Sequence, residues 1–124
     1  MLGTGFGRFL REKRQSRHIT LSELAENSGI STGYYSDIEY GRRNPPNRDI
    51  LDRMIAALNL SNEDRIAIYD LAGNARSEAP PDLPDYINEN ANVRVALRLA
   101  KDSGNAQVWD RFIDFLEKEN GGGG

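Results

Sequence analysis

The stretch GISTGYYSDIEYGRRNPPN, residues 29–47, contains the side chains whose types and spacing suggest chemistry. The hydroxyl of Thr32 and the carboxylate of Asp37 can form hydrogen bonds, and Arg42 and Arg43 follow them closely. Guanidinium groups bind anions, but no general base accompanies the hydroxyl groups as a nucleophile would require. The stretch is therefore suited to binding rather than to catalysis.

The rest of the chain offers little to a catalyst or a metal. It has no cysteine, which excludes disulfides, thiolate zinc sites and a cysteine nucleophile. The only histidine, His18, has no acidic partner at a convincing spacing, so we interpret it as a surface residue. The segment GTGFG at residues 3–7 lacks the G-x-G-x-x-G spacing of a nucleotide-binding loop and is interpreted as a flexible N-terminal arm. We expect no enzymatic activity, no metal and no cofactor.

The charge is divided unevenly along the chain, although the net charge is only −3. Residues 1–48 sum to +3 and residues 49–124 to −6, so the first part is basic and the rest acidic. The N-terminus has no apolar segment of signal-peptide length, and the chain has no run of apolar residues long enough to span a membrane. We therefore expect a cytoplasmic protein.

Apolar residues recur at helical spacing and never alternate as in a strand, so the pattern predicts an all-α fold. Hydroxyl residues and glycines mark the helix ends. The predicted helices are a first from Phe6, a second capped by Thr20 with Glu23 and ended by Gly29, a third capped by Ser31 and ended by Gly41, a fourth from Asp49, and a fifth capped by Ser61 and ending near Gly73.

The composition changes beyond residue 73. Residues 74–85 are interpreted as a Pro-rich linker, and residues 86–120 as a C-terminal region of two or three helices. One of these helices is predicted near 92–102, and Asn105 caps the last. The glycines at 121–124 are expected to form a flexible tail. Apolar side chains cover more than one face of the last helix and are expected to form a dimer or partner interface: Val108, Trp109, Phe112, Ile113, Phe115 and Leu116.

Two short helices joined by a tight turn at Gly29 are typical of a helix-turn-helix. The segment TLSELAENSGISTGYYSDIEYGRRNPPNRDILDRMIAALNL resembles the Xre-type, lambda-repressor-like family of DNA-binding transcriptional regulators, and the resemblance covers roughly residues 6–72. It implies a five-helix lambda-repressor-like domain, residues 1–73, followed by the helical appendage. The second helix of the motif, residues 32–39, would then lie in the major groove of DNA.

The resemblance implies two sets of DNA contacts and one structural ion pair. Arg14 and Glu39 occupy positions where relatives place an ion pair that orients the groove helix. The residues expected at base edges are Thr32, Gly33, Tyr34, Ser36 and Asp37. Those expected at phosphates are Thr20, Ser31, Arg42, Arg43 and Asn44.

The sequence departs from the family pattern at positions that matter. Leu21 stands where a glutamine often contacts phosphate, and Tyr35 stands where an aliphatic residue is usual. Asp37 repels phosphates, which favours narrow site choice or modest affinity.

These features predict a sequence-specific regulator of double-stranded DNA, a repressor of bacterial or phage and mobile-element type. Because such a domain reads few base pairs, we expect a homodimer joined by its C-terminal helices, with half-sites about one helical turn, ~34 Å, apart. A monomer whose tail packs on the fifth helix is the alternative. A second functional hypothesis is a phage-encoded inhibitor of anti-CRISPR type or an antitoxin, which binds a protein partner through residues 83–119 and uses the helix-turn-helix for autoregulation.

Overall fold

The computed structural model describes residues 5–121, and within that range it contains eight α-helices and no strand. The prediction of an all-α fold is confirmed. The helices are α1 (Phe6–Ser16), α2 (Leu21–Ser28), α3 (Thr32–Glu39), α4 (Arg48–Leu58), α5 (Asn62–Arg76), α6 (Pro84–Glu89), α7 (Ala91–Ser103) and α8 (Gln107–Gly121).

The chain divides into two compact units, Met1–Pro84 and Asp85–Gly124. The first contains α1 to α5, and the second contains most of α6 together with α7 and α8. The finer division into domain, linker and appendage stays a prediction. Of the predicted glycine tail, residues 122–124 lie outside the described residues, and Gly121 is the last residue of α8.

Side-chain caps determine where the helices of the first unit begin. The Thr20 hydroxyl accepts a hydrogen bond from the Glu23 amide at 3.1 Å, and the Glu23 carboxylate accepts one from the Thr20 amide at 2.9 Å, so the predicted capping box is confirmed. Ser31 and Ser61 cap α3 and α5, as predicted. These caps satisfy amides that have no partner inside the helix, which makes the starting residues well defined.

Two predicted boundaries are wrong, the start of α4 by one residue and the end of α5 by about three. α4 begins at Arg48 rather than Asp49, because the Asn47 side chain accepts a hydrogen bond from the amide of the third helical residue at 3.1 Å. α5 continues to Arg76 rather than ending near Gly73.

Two glycines allow backbone segments to approach each other closely. A Cβ atom at Gly73 would lie 2.8 Å from the backbone nitrogen of Pro80, so Gly73 lets the following segment pack on α5 and does not end the helix. A Cβ atom at Gly7 would lie 2.2 Å from the carbonyl oxygen of Glu39, so Gly7 lets α1 approach the end of α3. The predicted flexible arm at residues 3–7 is wrong for its last two residues, which begin α1 and are buried. Residues 3 and 4 lie outside the described residues.

The core of the first unit draws on all five of its helices. Tyr35 of α3 is completely buried in it. Because every helix contributes side chains, α2 and α3 are held at a fixed crossing by burial rather than by the turn alone. The buried apolar side chains are Phe6, Leu10, Leu24, Ala25, Tyr35, Ile38, Leu51, Met54, Ile55, Leu58, Leu60, Ile68, Tyr69 and Ala72.

The second unit leaves its apolar side chains on the surface. Within the described residues, α6, α7 and α8 contain no buried residue. On α8 the rings of Trp109 and Phe112 meet edge to face, and those of Phe112 and Phe115 are stacked, each pair with centroids 6.2 Å apart. α8 begins at Gln107, whose amide donates to the side chain of Asn105, the predicted cap, at 3.0 Å.

Candidate nucleic-acid interface

The turn between α2 and α3 has the geometry that a helix-turn-helix requires. Gly29 ends α2 in the left-handed region, with φ +75° and ψ +27°, which costs a glycine little. The amide of Ile30 then donates to the carbonyl oxygen of Ala25 at 3.0 Å, which completes a glycine C-cap. Three residues separate the end of α2 from the start of α3, so the two helices form one rigid motif.

The outer face of α3 carries the five residues expected at base edges. Thr32 and Gly33 are exposed, and nothing lies within 4 Å of a Cβ atom placed at Gly33. Tyr34, Ser36 and Asp37 are partly exposed. The inner face, in contrast, buries Tyr35, Ile38 and Glu39. The helix therefore presents hydroxyl, carboxylate and phenol groups on its outer face, while its inner face is fixed in the core.

A buried ion pair holds the end of α3 against α1. Arg14 Nε lies 2.7 Å from Glu39 Oε2, and Arg14 Nη2 lies 3.1 Å from Glu39 Oε1. Arg14 Nη1 also donates to the carbonyl oxygen of Ile19 at 2.9 Å. The pKa of Arg14 is raised, chiefly because its side chain donates hydrogen bonds to Glu39. The structure thus brings together the two residues that the resemblance places in an ion pair.

Tyr35 has a role that sequence reasoning missed. Its buried hydroxyl donates a hydrogen bond to the Glu39 carboxylate, one helical turn further on. Burial raises the pKa of Tyr35, and the hydrogen bond to Glu39 raises it further. The tyrosine therefore supplies a third hydrogen bond to a carboxylate that would be costly to bury alone. The signal in the sequence that could have revealed this contact is the spacing of four residues between Tyr35 and Glu39, which places both on one face of a helix.

Three exposed residues predicted at phosphates lie in the loop after α3: Arg42, Arg43 and Asn44. The Arg42 guanidinium lies over the ring of Tyr40, 5.2 Å from its centroid, and the Arg43 guanidinium lies over the ring of Tyr34 at 5.4 Å. Arg42 Nη1 is also 3.3 Å from Asp37 Oδ1. This last pair joins a residue expected at a base to one expected at a phosphate.

The loop is anchored at its far end by contacts that the sequence did not predict. Pro45 and Pro46 are buried, and the Arg76 guanidinium donates two hydrogen bonds to the Pro45 carbonyl oxygen, at 3.1 Å from Nε and 2.7 Å from Nη2. The exposed arginines therefore project from a segment fixed between α3 and α5.

The starts of α2 and α3 carry the other two residues expected at phosphates, Thr20 and Ser31, and both are exposed. The capping box already uses the amides of Thr20 and Glu23. A phosphate at this helix start would therefore meet the amides of Leu21 and Ser22. The bond from the Thr20 amide lowers the pKa of the Glu23 carboxyl, which keeps a negative charge beside that position.

The apolar residues expected at a dimer or partner interface lie on α8. Phe112, Ile113, Phe115 and Leu116 are exposed by 40% to 54%, whereas Val108 and Trp109 are half-buried. A cleft between α7 and α8, lined by Leu99, Trp109 and Phe112 among others, is almost wholly apolar.

Within the described residues, no group of three or more histidine, cysteine or acidic side chains could hold a metal ion. Over the same part of the chain, no helix combines the length and the apolar character needed to cross a membrane.

The chain is similar to several known proteins. The helix-turn-helix domain family matches residues 6–67. An uncharacterised HTH-type transcriptional regulator of Mycobacterium tuberculosis is 40% identical over 57 residues, which cover 46% of this chain but only 40% of that protein. The HTH-type transcriptional regulator RghRB of Bacillus subtilis is 39% identical over 132 residues, covering 92% of each chain. The crystal structure of the clp gene regulator ClgR from C. glutamicum aligns with a TM-score of 0.46 and 34% identity, over 56% of this chain and 87% of that one.

Proposed function

The chain belongs to the helix-turn-helix family of DNA-binding transcriptional regulators, and from that premise we propose that it is a cytoplasmic repressor of bacterial or phage type. In this proposal it binds duplex DNA as a homodimer and catalyses no reaction. The observation that carries the proposal is the contrast between the inner and outer faces of α3. Its inner face is locked by buried residues, and its outer face displays hydrogen-bonding groups beside exposed arginines.

The outer face of α3 suits the major groove, which admits one α-helix and displays a distinct hydrogen-bonding pattern for each base pair. Thr32 can hydrogen-bond a base edge or contact a thymine methyl group. Asp37 can accept a hydrogen bond from a cytosine amino group. Tyr34 and Ser36 lie close enough in the helix to add contacts, and Gly33 permits close approach of the backbone.

The flanking groups suit the phosphates on either side of that groove. Arg43 and Asn44 project from the anchored loop at the end of α3, and Thr20 and Ser31 stand at the starts of the two motif helices. Each neutralised phosphate steepens the dependence of log K on log salt concentration by ~0.9. Contacts of this kind fix the position of the protein on DNA without reading sequence.

The ion pair between Arg42 and Asp37 makes it less unfavourable for the Asp37 carboxylate to lie near the phosphate backbone. The pair is exposed, so it is weak and can exchange for other partners. While it lasts, Arg42 offsets the repulsion between Asp37 and phosphates. On a site that offers Asp37 a cytosine amino group, Arg42 is released to the backbone. On other sequences Asp37 gains no partner, which favours selectivity over bulk affinity.

The second unit is proposed to join two chains. Its exposed apolar side chains require a partner surface, and a second copy of the chain supplies one of matching charge. In a two-fold dimer the basic helix α7 of each copy can pack on the acidic helix α8 of the other. The charged residues are Arg94, Arg98, Lys101 and Asp102 on α7, and Asp110, Arg111, Asp114, Glu117, Lys118 and Glu119 on α8.

The test of the DNA proposal is a binding titration over a range of salt concentrations. The probes are a duplex selected by this protein from a random-sequence library and a scrambled duplex of the same composition. Arg43→Gln should weaken binding to both duplexes and reduce the salt slope by ~0.9. Thr32→Ala and Asp37→Asn should instead change which bases are preferred, with an expected cost on the selected duplex of about 1–3 kcal/mol.

Arg65→Gln is the matched control, because it removes the same charge from an exposed position on α5, outside the motif. It should leave both titrations unchanged. If selection yields no preferred sequence, or if binding does not depend on salt, the DNA proposal fails.

The dimer proposal is tested by the mass in solution of the full chain and of a chain ending at Pro84. The cut belongs there because the backbone near Pro80 packs against Gly73 in the first unit. We expect the full chain to be dimeric and the shortened chain to be monomeric with weaker operator binding. A monomeric full chain would instead direct attention to another protein partner for residues 83–119 or to packing of the tail on α5.

A further inference from the structure

The ring of Tyr40, at the C-terminal end of α3, contacts two arginines that are far from each other in the sequence. The Arg11 guanidinium of α1 lies over the Tyr40 ring at 5.3 Å from its centroid, and the Arg42 guanidinium of the exit loop lies over the same ring at 5.2 Å. The ring itself is 44% exposed. Two cations are therefore held at one aromatic side chain on the surface of the molecule.

The acidic groups nearby do not use these two charges fully. The Glu39 carboxylate already accepts two hydrogen bonds from Arg14 and one from Tyr35. Arg11 stands further away, with its Nε 3.6 Å from Glu39 Oε1 and its Nη2 3.5 Å from the Glu39 carbonyl oxygen. Among the described residues, the ion pairs of Arg11, Arg14 and Arg42 involve two carboxylates, those of Glu39 and Asp37. Three cations and two carboxylates leave a net positive charge at the ring.

We propose that Tyr40 is a positioning residue of the DNA interface, which holds Arg11 and Arg42 ready for the phosphate backbone and so extends the interface from α3 and its loop to α1. This inference rests on the proposed function, since it presumes that α3 lies on DNA. Tyr40 and Arg11 are absent from the set of contacts that the family resemblance implies.

The physical basis is a reduction of conformational freedom. A long arginine side chain loses rotamer entropy when it binds a phosphate, and a side chain that already rests on a ring has less to lose. Arginine retains its charge and its planar donors while it stacks on an aromatic face. The ring can therefore orient both guanidinium groups without consuming the hydrogen bonds that a phosphate needs.

A purely structural account assigns Arg11 and Arg42 to the negative end of the α3 dipole, where cations are favourable. That account predicts effects on stability and none on the salt dependence of DNA binding. Measuring both the stability and the salt dependence of DNA binding therefore distinguishes the two explanations.

The experiment compares the full-length protein with Tyr40→Leu, Tyr40→Phe, Arg11→Gln, Arg11→Lys and the double variant Tyr40→Leu/Arg11→Gln. Affinity is titrated on the selected and the scrambled duplex over a range of salt concentrations, and thermal unfolding is recorded for each protein. Tyr40→Leu should weaken binding to both duplexes alike, by about 5- to 30-fold for the loss of two ring–cation contacts. Tyr40→Phe keeps the ring and should restore most of that loss.

Arg11→Gln should reduce the salt slope by ~0.9, the value for one phosphate contact. Arg11→Lys keeps the charge without the planar group, so it should keep the slope and lose part of the affinity. In the double variant, Arg11→Gln should cost less than it does alone, because Tyr40 no longer positions Arg11. Arg65→Gln again serves as the charge control.

The inference is overturned if Tyr40→Leu binds like the unmodified protein, or if Arg11→Gln lowers the unfolding temperature and leaves the salt slope unchanged. Those outcomes would leave the proposed function intact, because the unmodified protein would still prefer its selected duplex. If the unmodified protein shows no sequence preference and no salt dependence, the proposed function fails as well.

Discussion

The two units of this chain treat their apolar and polar side chains in opposite ways. In the first unit all five helices bury side chains, and the buried charges of Arg14 and Glu39 face each other. In the second unit, within the described residues, no helix buries a side chain, and rings such as Phe112 and Phe115 stand half-exposed on α8.

This difference indicates a division of labour. A unit with a well-packed core of its own can hold a helix rigid while the outer face of that helix stays polar and exposed. A unit that leaves large apolar side chains exposed gains stability when a partner covers them. Substitutions should therefore act on stability in the first unit and on assembly in the second.

The largest effect is expected for Arg14→Met. It leaves the buried Glu39 carboxylate without its closest cation, and breaking a buried pair in this way typically costs ~3–5 kcal/mol. Denaturant unfolding of the full chain measures the loss.

The double variant Arg14→Met/Glu39→Gln should recover part of that stability, because no uncompensated charge remains. Equal losses in the single and double variants would mean that the loss does not come from an uncompensated charge on Glu39.

Gly7→Ala should come next, with a cost of about 1–3 kcal/mol. The added methyl group would lie 2.2 Å from the Glu39 carbonyl oxygen, which is backbone and cannot rotate away, so α1 must move off α3. Gly33→Ala is the matched control on α3, where nothing lies within 4 Å of the new atom. It should stabilise slightly, since alanine favours helix over glycine.

Much of the first unit could be predicted from local signals. The caps at Thr20, Ser31 and Ser61 and the turn at Gly29 depend on residues close in sequence, and all were predicted. The helix-turn-helix family was predicted from the residues of the same stretch and is confirmed.

The missed features depend on how distant segments meet. The sequence pattern predicts a flexible arm that includes Gly7, and no local signal reveals the close contact of Gly7 with the Glu39 carbonyl group on another helix. Arg11 reaches Tyr40 only because α1 packs against the end of α3, and no local pattern reveals that crossing. The family resemblance implies that Thr32 and Asp37 lie on the outer face of α3, where the structure leaves Thr32 exposed and Asp37 partly exposed. Their contacts with DNA stay a prediction.

A smaller effect is expected from the titration of Glu23. The amide of Thr20 lowers the pKa of this carboxyl below its ordinary value of 4.5, so the unfolded chain binds the proton more tightly. The stability that this group contributes is therefore present above that value and is lost as the pH falls through the lower, folded pKa. Unfolding of Glu23→Gln should depend less on pH over this acidic window than unfolding of the unmodified protein. Parallel curves for the two proteins would show that the capping box contributes no pH dependence.

The smallest change in the stability of the first unit is expected from charges placed on α8. Ile113→Asp and Phe115→Asp replace side chains that are more than half exposed, so unfolding of the first unit should change by less than about 0.5 kcal/mol. Their mass in solution should nevertheless fall to that of one chain, because an aspartate in an apolar interface loses its hydration without gaining a partner. Lys118→Gln removes an exposed positive charge from the same helix and leaves α8 acidic, so the proposed match of charge with α7 is kept. It is the control and should remain dimeric. If the aspartate variants destabilise the first unit as strongly as Gly7→Ala does, the two units do not divide stability and assembly between them, and the exposed face of α8 belongs to the fold rather than to a partner.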